Sequence, residues 1–401
     1  MIARKNLPSF FLSLLLILGL NPAQPTFAAP KAITVKGINK FGDSAGAEFL
    51  AASAKALFTV KNINTATSDI EVQARDHAGT SLWVKTIDSG LDEAASAIAI
   101  DSQGNLWLAG NSAAAIPVET ATATNSGLNP DGVVIEQPAP LRPDMRQLTL
   151  WKINASGEVS EKFSFLQNEI SLVDAISVSA TGLSLILTRD TGSSIISVNL
   201  KGVFGKELKI GTSKTKLNTI VRSSDGSVNI FGSSTETLAG KKLVGREDGV
   251  LIKISKAGLI ASVVRSSAPK AIRSWNSATS SLVLTGTVKS ANVTETAITK
   301  FTSAFVPTWT TRISSTGPAL AVSGLASSTY VVLEPATAVK GISNFRASKN
   351  QNLLIQFDSK GTIISAYSAV DLTGVKAITF SQDGGIYLLT ESTIFKVGGA
   401  K

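Results

Sequence analysis

The sequence predicts an all-β chain, and three observations carry that prediction. The phrase LTLWKINASGEV at residues 148–159 returns as GVLIKISKAGLI at 249–260, a strand, a short turn with Gly, and a second strand. Repetition at fixed spacing is the signature of a repeat architecture. Charged residues make up only 17% of the 401-residue chain, and low charge with many Val, Ile and Thr suits stacked strands better than helices. Finally, Gly recurs between apolar runs that alternate with period two, the pattern of strands joined by tight turns.

The repeated unit has two halves. The first is clearest at Ile98-Ala99-Ile100, Asp101-Ser102-Gln103-Gly104, Leu106-Trp107-Leu108-Ala109-Gly110, and recurs around Asp225-Gly226 and Asp383-Gly384. Asp and Ser at such turns bond the turn backbone, and Gly supplies positive φ. The second half is the Lys-Ile hairpin, with copies at 70–83, 148–159, 195–204, 250–260, 297–306 and 353–364. Gly79, Gly157, Gly202, Gly258 and Gly361 fall at its turn, while the copy after Phe301 has Ala304 or Phe305 there, so its turn must differ. Two hairpins give four antiparallel strands. First halves begin near Ala47, Ala97, Ala175, Thr219, Ile272, Leu320 and Ala377, a mean spacing of about 55 residues, close to that of propeller blades. The expectation is a seven-bladed β-propeller of four-stranded antiparallel blades. A β-sandwich would not repeat the same two hairpins in phase.

The chain ends suggest how such a ring closes. After Tyr387 only one further strand, 393–397, remains, so the last unit lacks its fourth. The strand Ala32-Ile33-Thr34-Val35-Lys36 is unassigned, and pairing it with 393–397 would remove the open edges. Two segments break the period. Residues 113–144, with Pro117, Pro130, Pro138, Pro140 and Pro143, read as a long inserted surface loop, and 235–248 as a shorter insertion at the equivalent position.

Asn105-Leu106-Trp107-Leu108-Ala109-Gly110 followed by a hairpin such as Asp248-Gly249-Val250-Leu251-Ile252-Lys253-Ile254, ending at Gly258, resembles the β-propeller repeat of bacterial secreted proteins, of the NHL and SBBP kind. The resemblance covers most of residues 45–399 and is sharp near 97–160, 217–266 and 375–398. It implies a propeller and an exported location, and no particular activity.

Location has its own signal. Arg4 and Lys5 precede an apolar run of about eleven residues, too short to span a bilayer, and Thr26-Phe27-Ala28 fits a small-x-small cleavage site. Residues 1–28 are expected to be a signal peptide cleaved after Ala28, or alternatively after Ala29, leaving 29–401 as a single domain without a transmembrane span. Loss of Arg4 and Lys5 lowers the formal charge from +9 to about +7, spread along the chain rather than gathered on one face as a nucleic-acid binder requires. With no cysteine, disulfides, thiolate metal sites and a lipid anchor are excluded.

Chemistry is sparse. The one histidine, His77, falls in a hairpin turn, which argues against multi-histidine metal sites and a Ser-His-Asp triad. No calcium-loop spacing occurs, and no cofactor or metal is expected. Asp92, Glu93, Asp101, Asp144, Glu247, Asp248 and Asp383 are among the loop carboxylates from which a hydrolase or lyase pair would be drawn. Trp107 and Trp151 lie inside strand patterns, as packing residues do. Trp275 and Trp309 lie near strand ends, where an exposed ring stacks on a sugar or anchors a peptide, and Asp144 and Arg146 stand where the long insertion rejoins the scaffold. These four are the candidate binding residues. The reading is a monomeric exported propeller that binds a protein, peptide or glycan on one face. Its alternatives are a propeller hydrolase or lyase using loop carboxylates and a structural component of the cell envelope.

Overall fold

The computed structural model describes residues 32–64, 66–114 and 144–398. The expected signal peptide and residues 115–143 of the long insertion lie outside the described residues.

Five consecutive four-stranded antiparallel sheets cover residues 49–87, 93–166, 172–210, 215–266 and 272–314, each running in chain order from innermost to outermost strand. They are called here the first to fifth blades. A closing blade joins Asn39–Asp43 to Thr393–Val397, Gly385–Leu389 and Ala377–Ser381. The expectation of seven four-stranded antiparallel blades is therefore corrected to six. The sheet between the fifth blade and the closing blade is different: it is six-stranded and mixed, because Ile33–Gly37 and Ile342–Ser343 add to a four-stranded set within 320–368.

The closure also differs from expectation. Ile33–Gly37 does not reach Thr393–Val397. It runs parallel to Ile363–Ser368, with Val35 opposite Ala366, and its first residues pair with Ile342 and Ser343. The strand that completes the closing blade is Asn39–Asp43, with Asn39 opposite Lys396 and Asp43 opposite Thr393. Apolar content decides which segment goes where: Ile33 and Val35 pack against the core of the mixed sheet, while buried Ile38 joins the core under the closing blade. The N-terminal segment thus stitches two adjacent sheets.

Innermost strands follow one another round a common axis, and Ala377–Ser381 neighbours Phe49–Ala52, which closes the ring. Middle strands such as Leu106–Ser112 and Val228–Ser234 are buried at every residue, because neighbouring sheets cover both faces. Outer strands such as Ser81–Ile87 stay mostly exposed. Core clusters accordingly span sheet boundaries: Val60, Ile70 and Val72 of the first blade pack with Leu106, Leu108 and Trp151 of the second.

The repeat motifs now have physical reasons. In the second and fourth blades the innermost strand carries a bulge, after Ala95 and after Leu217. The Gly of the facing strand lies so close that a Cβ on Gly110 or Gly232 would sit 1.9 Å from the carbonyl oxygen of Ala94 or Lys216. In the hairpin turns, Asp76, Asn154, Asn199 and Asp358 each accept two backbone N–H bonds at 2.8–3.0 Å. The turn without Gly keeps the same backbone, with Phe305 itself at φ 60° and its ring buried edge-on against Phe231.

Candidate functional face

Antiparallel pairing places the start of each first strand, the end of the second and the start of the third at one end of the blade. Glu93 lies opposite Ser112, and Ser112 opposite Gln147; Thr215 lies opposite Ser234, and Ser234 opposite Asp248. Both insertions, 113–144 and 235–248, join second to third strands and so leave and rejoin their blades at this same face. Cross-blade bonds tie it together: Ser193 Oγ donates to the Thr215 carbonyl (3.1 Å), Arg273 N to the Glu247 carbonyl (3.0 Å) and Asn218 Nδ2 to the Trp275 carbonyl (2.7 Å).

A cleft of about 640 Å³ opens on this face between the third and fourth blades, with Asp174, Thr188, Arg189, Asp190, Lys216 and Asn218 among its lining residues. Asp174 is exposed, yet partial loss of water pushes its carboxyl above the usual range, partly offset by the bond it accepts from Thr188. Arg189 is held in a fork against Glu207. Burial pushes the Glu207 carboxyl up, yet Arg189 and Ser194 bring it below its ordinary value. At the root of the shorter insertion burial likewise acts on Glu236, and bonds from Thr215 Oγ1 (2.6 Å) and Thr212 N (2.7 Å) hold it low. The cleft therefore offers fixed donors and acceptors of both signs, suited to hydroxyls and amides.

Catalytic constellations fare less well. Glu93 and Asp174 are the carboxylates on the innermost strands among the described residues, and Asp174 is raised above its ordinary range by loss of water. Asp101 caps its turn and accepts the Trp107 indole N–H at 3.1 Å. Asp248 is fully buried against Arg265 at 3.2 Å. His77 lies at the opposite end of the first blade, bonded to Tyr387 Oη (2.8 Å) and Ser381 Oγ (3.0 Å) of the closing blade.

The four candidate binding residues fall in different settings. Asp144 and Arg146 form a half-exposed ion pair of 2.6 Å where the long insertion returns. Trp275 is 5% exposed and packs edge-on against Phe301, so its ring faces protein. Trp309 stacks on Phe357 and donates Nε1–H to the Ser359 carbonyl at 3.1 Å, tying the fifth blade to the mixed sheet. The sequence reading did not single out Asp174, Arg189 or Asn218. Their only common signal is position, one to four residues from an innermost strand start or at the facing strand end.

No family model matches the chain, and no curated protein matches it. Among solved structures it is similar to a streptogramin B lyase, at 14% identity and TM-score 0.50, over 90% of this chain and 96% of that one. It is also similar to the WD40 domain of a coronin from Toxoplasma gondii, at 11% identity and TM-score 0.51, over 92% and 90%. These likenesses define the class: the chain is a β-propeller protein. They extend to the fold alone, and the resemblance to secreted bacterial repeats goes no further. Among the described residues no helix is long and apolar enough to cross a membrane.

Proposed function

We infer that this chain is an exported binding propeller that holds a protein, peptide or glycan across the face at which both insertions leave and rejoin their blades. The observation that carries the reading is the composition of that face. It joins the roots of two insertions to a cleft of mixed-sign and neutral polar groups. Neighbours as different as a lyase and a WD40 domain fit a scaffold whose use is set by its loops. Asp144 and Arg146 at the insertion root, with Lys216 and Asn218 in the cleft, are the residues assigned to the ligand.

The test is capture on immobilised mature chain from cell-wall glycan and extracellular protein fractions. Wild type is compared with a chain lacking 115–143 and with Lys216→Ala/Asn218→Ala. Retention lost in both variants supports the reading. Undiminished retention by both, or turnover of the retained material, contradicts it.

A further inference from the structure

At the junction of the first and second blades, on the same face, three acidic side chains meet that the binding reading does not use. One carboxylate oxygen from each of Asp69, Asp88 and Glu93 lies within 4.8 Å of the other two. Asp69 is the second residue of the third strand of the first blade, Asp88 follows its last strand, and Glu93 opens the second blade. Asp69 and Glu93 are buried, at 3% and 0% exposure, while Asp88 reaches solvent. Glu93 supplies a second, independent observation. Its Oε1 accepts the Ser89 hydroxyl, yet its Oε2 is fully enclosed and has no hydrogen-bond donor.

An enclosed carboxylate oxygen without a donor forfeits its hydration, and three carboxylates this close repel one another unless a proton or a cation intervenes. Oxygens bound to one calcium ion at 2.3–2.6 Å lie up to about 5 Å apart, the spacing found here. We propose that Asp69, Asp88 and Glu93 form a calcium site that clamps the first blade to the second. Calcium accepts irregular oxygen cages, whereas magnesium keeps an octahedral set with several waters, for which two buried ligands leave little room. The exposed Asp88 provides the entry side. The clamp also sits at the root of the long insertion: Ala113, its first residue, donates its N–H to the Asp92 carbonyl at 2.8 Å, one residue before Glu93.

The test is thermal unfolding and calorimetric titration of the purified full chain after stripping with a chelator. Calcium chloride and magnesium chloride are each added from about 0.01 to 10 mM, a span that covers extracellular calcium modules. The expected result is one calcium bound per chain and a melting temperature raised by several degrees, with little response to magnesium. Glu93→Gln removes a buried charge without changing shape, so its metal-free form melts at or above wild type, while its calcium shift disappears. Asp88→Asn, an exposed substitution, weakens calcium binding at least tenfold and serves if Glu93→Gln fails to fold. No calcium shift in the stripped wild type, equal shifts with magnesium, or an undiminished shift in the substituted chains would overturn the proposal.

Discussion

The indole of Trp309 roofs the turn glycine Gly361 of the adjoining sheet so closely that a Cβ there would lie 2.6 Å from its ring. The same pairing recurs as Trp83 over Gly157 and Phe163 over Gly202. An outer-strand aromatic of one sheet thus rests on the hairpin turn of the next, and the indoles of Trp83 and Trp309 also bond backbone carbonyls in those turns. Gly361 is at φ 85°, so its replacement strains the backbone and the packing together. Gly361→Ala is expected to cost about 2–4 kcal/mol in denaturant unfolding. A loss under about 0.5 kcal/mol would show that the roof carries no packing load.

The bulge opposite Gly232 makes a similar demand from the inside. Gly232→Ala has no room to relax, since the obstruction is the Lys216–Leu217 backbone of the facing strand. It should be more damaging than Gly240→Ala, where φ is positive at 76° but no atom lies within 4 Å. Comparing the two midpoints separates steric cost from backbone strain, and equal midpoints would refute the bulge explanation.

Tyr387 is buried in the closing blade, where its hydroxyl meets His77 of the first blade at 2.8 Å. Desolvation, with the charge of Asp76 nearby, pushes its phenol up to about 12. The unfolded phenol ionises near 10, so the folded state holds this proton more tightly. The associated stability is complete below pH 10 and is lost as pH rises from about 10 to 12. Tyr387→Phe should remove that part of the alkaline loss and cost about 1 kcal/mol at neutral pH through the missing hydrogen bond. Unfolding midpoints measured from pH 8 to 12 check both.

Asp248 works in the opposite direction. Burial alone would raise its carboxyl, but N–H bonds from Val244 (3.0 Å) and Gly245 (2.9 Å), with Arg265, bring it below the usual range. Its stabilisation is present above the unfolded value near 4 and disappears as pH falls through the folded one. Asp248→Ala leaves Arg265, itself only 6% exposed at its side chain, without its carboxylate, and is expected to cost about 3–5 kcal/mol. An acid-unfolding profile with the same midpoint for both chains would contradict this assignment.

Much of the scaffold was legible because it is repetitive. Leu106 to Gly110 and its copies fix strand phase, and Gly157 or Gly361 fixes turn position. What escaped the sequence depends on partners far apart in the chain. Asn39–Asp43 has neither alternation nor β-branched residues, so nothing marks it as the strand that pairs with Thr393–Val397. Ile33–Gly37 does read as a strand, but its parallel partner is visible only once the ring has formed. The site was less legible. Trp275, near a strand end, reads as packing or as a rim residue for a ligand, and it is buried against Phe301. Asp69, Asp88 and Glu93 have no motif spacing, because three separate strand ends bring them together.

The most direct test of the binding account is hydrogen exchange of the chain with and without its captured ligand. The account predicts protection at the insertion face, in 172–174, 188–193 and 215–218 and at the root of the long insertion at 144–147. Protection confined to the opposite-face turns at 76–79, 154–157 and 358–361 would contradict it.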